Sequence, residues 1–406
     1  MRVNEIPGRG LGVVAERPLQ AGETIITDMP IILYPQSSAV SEVCNFCLRW
    51  LTAAGVSSPV ACPSCPTARF CSQQCAAAAV TDPASHCHLV CRCLSACNAA
   101  GLSDDEQSTL GYLFRSCSLL FASQAGDQSA MAKLAQIETL ATYAIETAAQ
   151  FRSETHLLRA RELHGRVLHV LALIGRNSTP ISLDFITRLL EKESVNSYGI
   201  LAPLLPGAEN EADRRLRGSG LYPLASRVNH ECLPNAARFD DFDRTELSSS
   251  TAPGSNTALS LRALHALPAG EEVTQSYFPL TWSFLQRQER CREQYGFICR
   301  CPRCKEEATW PPEEQGAETE EDVVLVREMS STVITNSMID IPNGDNNDVA
   351  DAGYIHVFLF KYVCPREGCG GTMAPMSQHQ SYALQCNVCG KVRTEAEFLA
   401  ELEGSG

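Results

Sequence analysis

The chain has 406 residues, of which 44% are hydrophobic, and it carries a formal net charge of −14. This length provides for roughly two to three domains and ample material for a core. Because it lacks any run of about 18 apolar residues and its start, MRVNEIPGRG, lacks the apolar core of a secretory signal, we expect an intracellular protein with no membrane span. In such a compartment the 20 cysteines are mostly reduced, which favours thiolate–metal chemistry over disulfides.

The negative charge is concentrated in residues 306–352, which hold 13 Asp and Glu residues against one Arg, a net charge of −12. The rest of the chain is close to neutral, at −2. No strongly basic face is evident, so we expect no DNA binding driven by phosphate neutralisation. The acidic stretch is also rich in Asn, Gly, Ser and Thr, which is typical of a solvated linker; a docking segment for a basic partner is the minor interpretation.

In chain order, residues 9–34 indicate two short strands around a turn, in LGVVAERPL and AGETIITDMP. A cysteine-dense block follows, and then helical text that opens with a capping box, Ser103 and Glu106, in SDDEQSTLGYLF. Leu, Ile and Ala at helical spacing predict further helices over 130–150, 154–175 and 181–193.

Strand-like text returns at 220–240 and 257–277, and a charged helix over about 283–295 leads into a second cysteine cluster. After the acidic stretch, YIHVFLFKYVCP alternates like a strand and opens a third cysteine-containing unit. The predicted strands fall into separate parts of the sequence, with predicted helices and the cysteine-dense block between them. We therefore predict an α+β, strand-rich fold with inserted modules rather than a Rossmann alternation of strand and helix.

The first cysteine block predicts two zinc ions. Paired thiols two or three residues apart suit zinc, because a tight turn aims both sulfurs at one tetrahedral ion. The block ends in SHCHLVC, where Cys87 precedes Cys91 by four residues and is flanked by His86 and His88, so any of these three can complete the second site. The candidate ligands are Cys44, Cys47, Cys62, Cys65, Cys71, Cys75, Cys87 and Cys91.

Two further clusters predict one zinc ion each. ICRCPRC supplies only Cys299, Cys301 and Cys304, and a structural site needs a fourth ligand, for which Cys232 is the obvious candidate. The third unit reads as a zinc ribbon, with glycines around each pair of its ligands, Cys364, Cys369, Cys386 and Cys389. We assign no chemistry to Cys93, Cys97, Cys117 and Cys291.

The stretch RVNHECLPNAARF places an amide, an imidazole, a carboxylate and a thiol at consecutive positions, Asn229 to Cys232. A Cys–His nucleophile, a metal site and a cofactor-binding segment are the competing interpretations. Adjacent residues seldom form a nucleophile–base pair, which disfavours the first.

Three ordered motifs together resemble one family, the SET-and-MYND protein lysine methyltransferases, over roughly residues 1–305. GLYPLASRVNHECLPN is similar to the family's GLYP…NHSCxPN segment, LPAGEEVTQSY to its GEE(L/V)…Y strand, and REQYGFICRCPRC to its post-SET cysteine cluster. The first cysteine block resembles a MYND zinc module inserted into a split SET domain. The short forms without a helical-repeat tail, as in plants, are the most similar.

The resemblance implies S-adenosylmethionine as the methyl donor and a protein substrate with a target lysine, and the cysteine clusters together predict about four zinc ions. By position, Tyr277 is the active-site tyrosine, Tyr198 lines the lysine channel and Phe297 packs on the adenine. Cys232 joins Cys299, Cys301 and Cys304 on zinc. The implied cofactor-binding residues are Arg9, Leu11, Asn196, Asn229, His230, Tyr277 and Phe297.

The implied division of the chain follows the motifs. We predict the SET domain in two parts, 1–43 and 191–280, a MYND module at 44–91, a helical insert at 92–190, a post-SET zinc segment at 281–305, an acidic linker at 306–352 and a C-terminal zinc ribbon at 353–406. Because no long helical tail follows, we expect the ribbon to close over the substrate cleft or to dock beside it.

Two departures from the family pattern bear on function. Glu231 stands where a small residue is usual, and the tryptophan common in the MYND stretch is absent from AAAAVTDPAS, which makes a proline-rich peptide partner at that module less assured. We expect a nuclear and/or cytoplasmic lysine methyltransferase. The alternatives are a non-catalytic adaptor that binds partners through its zinc modules, and a zinc-finger nucleic-acid binder, which the acidic balance disfavours.

Overall fold

A computed structural model describes residues 1–52, 56, 58–97, 100–142, 154–176, 181–204, 214–240, 242–243, 253–337, 350–376 and 383–404. These residues form the predicted α+β architecture, in which small sheets are separated by zinc-ligand clusters and a helical block. No helix among the described residues has the length and apolar character to cross a bilayer.

The strands are short, and they carry most of the candidate site. They are β1 (Arg2–Ile6), β2 (Gly10–Val14), β3 (Thr24–Asp28), β4 (Ile32–Pro35), β5 (Val60–Ala61), β6 (Arg69–Phe70), β7 (Ser197–Leu201), β8 (Leu216–Leu221), β9 (Asn229–His230), β10 (Ala236–Asp240), β11 (Leu259–Ala263), β12 (Glu272–Gln275), β13 (Met373–Pro375), β14 (Leu384–Cys386) and β15 (Val392–Arg393).

Residues far apart in the chain meet in these sheets. The largest has the order β1-β2-β12-β9, and the others have the orders β10-β11-β3, β4-β8-β7, β13-β14-β15 and β5-β6. In β11, Leu259, Leu261 and Ala263 are buried while the intervening side chains are half-buried, which is the period of two expected of a strand with one core-facing side. Among the described pairings β9–β12 alone is parallel, and both strands carry site residues.

The helices are α1 (Gln73–Thr81), α2 (His88–Ala96), α3 (Asp104–Gln124), α4 (Gln128–Glu138), α5 (Glu154–Leu173), α6 (Leu183–Asn196), α7 (Phe284–Arg290), α8 (Pro302–Glu307), α9 (Glu320–Ser337), α10 (Ala352–Tyr362) and α11 (Glu395–Gly404). A π-helical turn, Cys291–Tyr295, continues α7. The capping box at Ser103 and Glu106 is confirmed at the start of α3. The predicted helix over 130–150 ends at Glu138, and its residues 143–150 lie outside the described residues.

The helical block and the first strands share one hydrophobic core. Tyr112, Leu113 and Phe114 of α3 are fully buried there, together with Ile32 of β4 and Leu221 of β8. Burial of an apolar stripe from each helix supplies most of the free energy that keeps such helices folded. The helical block is therefore packed directly against the sheet β4-β8-β7.

The prediction of a solvated linker over the acidic stretch is wrong for its first part, which folds as α9. Val326, Met329 and Val333 recur at helical spacing and are buried against Phe284 and Leu285 of α7. The acidic residues cluster in the first turn of α9, where negative side chains stabilise a helix through its dipole. Residues 338–349 lie outside the described residues.

The prediction of a strand at YIHVFLFKYVCP is also wrong, because the segment forms α10. The Asp351 side chain accepts a hydrogen bond from the Tyr354 main-chain N–H (2.7 Å) and caps the helix. Ile355, Phe358 and Tyr362 are buried at helical spacing. Short apolar runs rich in aromatic residues fit either period, and packing against Ala237 and Phe239 of β10 decides in favour of the helix.

Candidate active site and metal centres

The parallel pairing of β9 with β12 builds the centre of the candidate site. Asn229 lies opposite Thr274, and His230 lies opposite Gln275. The pairing brings the segment Asn229–Cys232 against the end of the strand that leads to Tyr277. The two motifs that the sequence singled out separately are thus one structural unit.

His230 is buried and is hydrogen-bonded through both ring nitrogens. Nδ1 accepts from the Tyr277 main-chain N–H (3.2 Å), and Nε2 lies 3.3 Å from Cys232 Sγ. Since a nitrogen that accepts carries no proton, the ring proton sits on Nε2 and points at the sulfur. The imidazole packs against the rings of Tyr277 and Phe278, with centroids 5.2 and 4.5 Å away.

Tyr277 is half-buried, and both its hydroxyl and its ring contact other residues. Its hydroxyl donates to the Val228 carbonyl oxygen (3.1 Å), and its ring packs on Tyr295 with centroids 4.8 Å apart. Burial raises the pKa of the Tyr277 phenol well above its ordinary value. The side chain is therefore a neutral hydroxyl at physiological pH, with oxygen lone pairs still free to accept a hydrogen bond.

Tyr198, on β7, is linked to the same strand through Gln275. The Tyr198 hydroxyl accepts from Gln275 Nε2 (2.6 Å) and donates to the Ala225 carbonyl oxygen (2.7 Å). Burial raises the pKa of this phenol as well. Sequence reasoning missed Gln275, although residues two apart on a strand share a face and Gln275 is two residues before Tyr277.

Arg9 connects the first turn to the Asn229–Cys232 segment. Its guanidinium donates to the His230 carbonyl oxygen (2.5 Å), to Glu272 (2.8 Å) and to Glu231 (3.2 Å). Glu231 is thus partnered rather than directed only to solvent. Sequence reasoning missed Glu272, which is paired with both Arg9 and Asn229.

Asn229 links strand β9 to strand β2 and to Glu272. Its side-chain amide donates to Glu272 (2.7 Å) and to the Leu11 carbonyl oxygen (3.3 Å). A Cβ at Gly12 would lie 2.9 Å from the Asn229 amide nitrogen and 2.7 Å from a Glu272 carboxylate oxygen, so a larger residue there would displace these two side chains. The Leu11 side chain is 49% exposed, so the main chain makes the contact.

Asn196, at the end of α6, is buried, but its amide is used within the protein. It donates to the main-chain oxygens of Ala141 and Lys192, at 2.8 Å each. The Asn196 carbonyl oxygen accepts from the Ser226 hydroxyl (3.1 Å), which ties the helix end to the turn before β9. Its cofactor contact stays a prediction.

Phe297 lies at the edge of an aromatic cluster. Its centroid is 6.2 Å from that of His230 and 6.4 Å from that of Tyr295. Tyr295 was missed by sequence reasoning; its place two residues before Phe297 in REQYGF is the signal that could have found it. Together these rings form an aromatic wall beside Tyr277.

Four groups of ligand atoms lie close enough to hold one metal ion each, with all atoms of a group within 4.8 Å of one another. Zinc bound by four sulfurs at about 2.3 Å has sulfur–sulfur edges of about 3.8 Å. The residues therefore fit zinc. The observed sulfur–sulfur distances are 3.7 Å for Cys47–Cys71, 3.8 Å for Cys62–Cys91, 3.6 Å for Cys232–Cys304 and 3.6 Å for Cys369–Cys386.

The first block interleaves its ligand pairs, the first with the third and the second with the fourth. One group is Cys44, Cys47, Cys71 and Cys75, and the other is Cys62, Cys65, His86 and Cys91. Each ion would therefore hold two distant parts of the segment together. In a block with few regular elements, metal binding of this kind supplies folding free energy.

The structure corrects the assignment of Cys87 as a ligand. His86 joins the second group, with Nε2 3.4 Å from Cys65 Sγ. Cys87 turns away, to Ser118 Oγ (3.1 Å). Cys87 stands at the N-cap position of α2, and from there its side chain faces Ser118 of α3 and not the ligand group.

The third group unites Cys232 with Cys299, Cys301 and Cys304, all of them buried. Beside it, Glu307 accepts hydrogen bonds from two buried arginines, Arg287 and Arg303. Arg287 also lies 3.8 Å from Cys304 Sγ. The fourth group is Cys364, Cys369, Cys386 and Cys389 in the C-terminal unit, and the groups include none of Cys93, Cys97, Cys117 and Cys291.

Comparison with known proteins matches the SET domain family to residues 10–278. "Histone-lysine N-methyltransferase ASHR2" of Arabidopsis thaliana is 32% identical, covering 97% of this chain and 96% of that protein. "Histone-lysine N-methyltransferase SMYD3" of Homo sapiens is 26% identical over 73% of this chain and 59% of its own length. A crystal structure of the SET domain of LSMT bound to lysine and AdoHcy aligns with a TM-score of 0.40 and 11% identity, over 82% of this chain and 68% of that one. The predicted SET fold and the similarity to a short plant protein are confirmed by the family match and by ASHR2.

Proposed function

The chain belongs to the SET domain family, as a relative of the SET-and-MYND type, and from this premise we propose that it is an S-adenosylmethionine-dependent protein-lysine N-methyltransferase. One observation carries the proposal. Strand β9 (Asn229–His230) pairs in parallel with the strand that leads to a half-buried tyrosine, Tyr277, next to His230. This arrangement lies within the matched family region.

The residues present fit the methyl donor. The rings of Phe297 and Tyr295 offer an apolar surface suited to an adenine, and the Arg9 guanidinium, one-third exposed, lies near the turn and can face a carboxylate. We propose that Arg9, Leu11, Asn196, Asn229, His230, Tyr277 and Phe297 hold the cofactor. S-adenosylmethionine supplies a methyl group on a sulfonium sulfur, which is already an excellent leaving group.

The protein's own work is to position a neutral amine. A free lysine has a pKa near 10.4, and a narrow, dry, aromatic channel disfavours its charged form. Tyr198 and Tyr277 each donate their hydroxyl proton to a main-chain carbonyl, so each oxygen retains a lone pair that can accept from the amine N–H. Alignment of amine and methyl group for in-line displacement then lowers the barrier.

This mechanism uses no protein nucleophile. Cys232, the thiol beside His230, is one of four converging sulfurs and would be engaged by zinc. A His230 proton directed at that sulfur would stabilise a metal-bound thiolate by hydrogen bonding to it. We therefore assign Cys232 to structure and Tyr277 to catalysis.

We further propose that the division of the chain given by the motifs holds outside the acidic stretch, with a MYND module at 44–91, and that about four zinc ions are bound. The substrate is a protein with a target lysine, histone or non-histone. A chromatin role, a nuclear and/or cytoplasmic location and a proline-rich peptide partner at the MYND module belong to the same proposal.

The experiment is transfer of a labelled methyl group from S-adenosylmethionine to proteins of a cell extract, followed by hydrolysis to amino acids. We expect labelled N-methyl-lysine that depends on Tyr277. Labelled products other than methyl-lysine, or no labelled product from a folded, zinc-loaded protein, would contradict the proposal.

A non-catalytic adaptor is the second candidate, and one observation favours it. Glu231 and Glu272 both bond the Arg9 guanidinium, which leaves that cation less free to meet a cofactor carboxylate. Calorimetry distinguishes the two candidates. Cofactor binding without methyl transfer to any protein favours the adaptor, whereas turnover favours the enzyme.

A further inference from the structure

One side chain of the C-terminal zinc unit donates a hydrogen bond to the main chain of the strand behind the candidate lysine channel. Asn387 lies between the ligands Cys386 and Cys389, and its amide nitrogen donates to the Arg238 carbonyl oxygen on β10 (2.9 Å). Its amide oxygen accepts from the Thr372 N–H (2.8 Å), so the unit itself fixes the orientation of Asn387.

The rest of the unit is docked on the same sheet. The Tyr362 hydroxyl donates to the Leu264 carbonyl oxygen (3.0 Å), and Arg262 of β11 reaches Gln385 of β14 (3.3 Å). Phe358, Tyr362 and Ala374 are buried in one apolar cluster with residues of β10. Asn387 therefore contacts β10 from a unit that is itself packed against the same sheet.

The Arg238 side chain extends from this strand toward Tyr198. Its guanidinium carbon lies 5.0 Å from the centroid of the Tyr198 ring, within the range of a cation–π contact. The same guanidinium donates to the Gly199 carbonyl oxygen (3.0 Å) and to Asp240 (3.0 Å). Arg238 thus holds both the ring and the main chain of β7.

Tyr198 is consequently fixed from two directions. Gln275 and the Ala225 carbonyl hold its hydroxyl, as described above, while Arg238 covers its ring. In the sheet β4-β8-β7, strand β7 is at the edge and pairs on one side only. The hydrogen bond from Arg238 to Gly199 therefore supplies a support for β7 that a second neighbouring strand would otherwise give.

We propose that Arg238 is a positioning residue for the acceptor-lysine channel and that Asn387 of the C-terminal zinc unit sets its place. The inference rests on the proposed function, in which Tyr198 lines that channel. Channel width governs how many methyl groups an amine can accept, so the zinc unit influences product distribution and leaves cofactor binding unchanged.

The test uses the full chain with Arg238→Met, Arg238→Lys and Asn387→Ala, and Val392→Ala as a control on an exposed ribbon position without contact to Arg238. Hydrogen–deuterium exchange of residues 197–201 is measured first. We expect Arg238→Met and Asn387→Ala to raise exchange by about fivefold or more, Arg238→Lys to restore much of the protection, and Val392→Ala to match the parent chain.

The second readout is the ratio of mono-, di- and trimethyl-lysine formed on proteins of a cell extract, with the cofactor Kd determined alongside. We expect Arg238→Met to change this ratio at constant cofactor Kd, and Arg238→Lys to restore it. Wild-type exchange and ratio in Arg238→Met would overturn the inference, whatever happens to Asn387→Ala. If the parent chain transfers no methyl group, the proposed function fails, and the exchange comparison still decides the inference.

Discussion

The main-chain N–H of Tyr277 donates to Nδ1 of His230 across 3.2 Å, although 47 residues separate the two in the chain. This hydrogen bond leaves the ring proton on Nε2, 3.3 Å from Cys232 Sγ. One imidazole therefore couples the candidate catalytic tyrosine to the post-SET ligand group. The arrangement explains why position 230 holds a histidine, since few other side chains accept at one end and donate at the other.

His230→Ala is expected to loosen the post-SET zinc site. The variant removes the donor to Cys232 and leaves the Tyr277 N–H without its acceptor, at a cost of about 1–3 kcal/mol. The rate of zinc release to a chromogenic chelator should rise. His169→Ala, at an exposed helix position, is the control, and equal release rates in the two variants would contradict the coupling.

His86→Ala and Cys87→Ala are expected to differ in zinc content. His86 lies in the second ligand group of the first block, and Cys87 contacts Ser118 instead. Elemental analysis should find about four zinc ions per chain in Cys87→Ala and about three in His86→Ala. Loss of an ion from Cys87→Ala alone would mean that Cys87 is the ligand.

Glu307→Ala is expected to be strongly destabilising. Arg287 and Arg303 are both almost fully buried and share this carboxylate, so its removal leaves two buried positive charges without this ion-pair partner. Breaking such an arrangement costs about 3–5 kcal/mol. Thermal unfolding at fixed zinc concentration measures the effect, with Glu313→Ala, an exposed glutamate nearby, as the control. Equal melting temperatures for the two variants would refute this assignment.

Asp28→Ala and Asp28→Asn are expected to separate hydrogen bonding from charge. Asp28 accepts from the N–H groups of Leu224 (2.7 Å) and Ala225 (2.8 Å) in the turn whose carbonyl holds Tyr198. Alanine leaves both donors unpaired and should cost about 2 kcal/mol or more, whereas asparagine keeps an acceptor. Unfolding measurements on both variants test this, and equal losses would contradict it.

The burial of Asp28 also leads to a prediction about how stability depends on pH. Burial raises the pKa of Asp28 above the ordinary carboxyl value, so the folded state holds this proton more tightly than the unfolded state does. The stability that the protonated carboxyl contributes is complete below the ordinary pKa and is lost as pH rises through the raised one. Asp28→Asn has no such loss, so its stability relative to the parent chain should increase as the pH rises above the ordinary carboxyl pKa of about 3.9.

Ligand chemistry was the most predictable part of the site. Three cysteines at 299, 301 and 304 cannot close a tetrahedral site, and that requirement alone pointed to Cys232, which the structure brings to them. The choice between His86 and Cys87 could not be made in the same way. Adjacent residues satisfy the same spacing, and only the start of α2 decides which side chain faces the sulfurs.

Secondary structure in the C-terminal third was less predictable for a physical reason. The acidic residues suggested a linker, but Val326, Met329 and Val333 between them form a stripe that becomes visible once α7 is there to cover it. Arg238 was missed because its partner Gly199 lies on a strand distant in sequence, and no local pattern marks such a contact. The spacing of Gln275 from Tyr277 could have shown that the two share a strand face, but not that Gln275 bonds Tyr198.

Single-turnover methyl transfer by Tyr277→Phe tests the central claim most directly, since the variant keeps the aromatic ring and removes only the hydroxyl. Transfer to extract proteins and the cofactor Kd are measured on the same preparation. We predict a fall in the transfer rate of about 100-fold or more, with the Kd within about threefold of that of the parent chain. An unchanged transfer rate would contradict the assignment of Tyr277 and, with it, the proposed site.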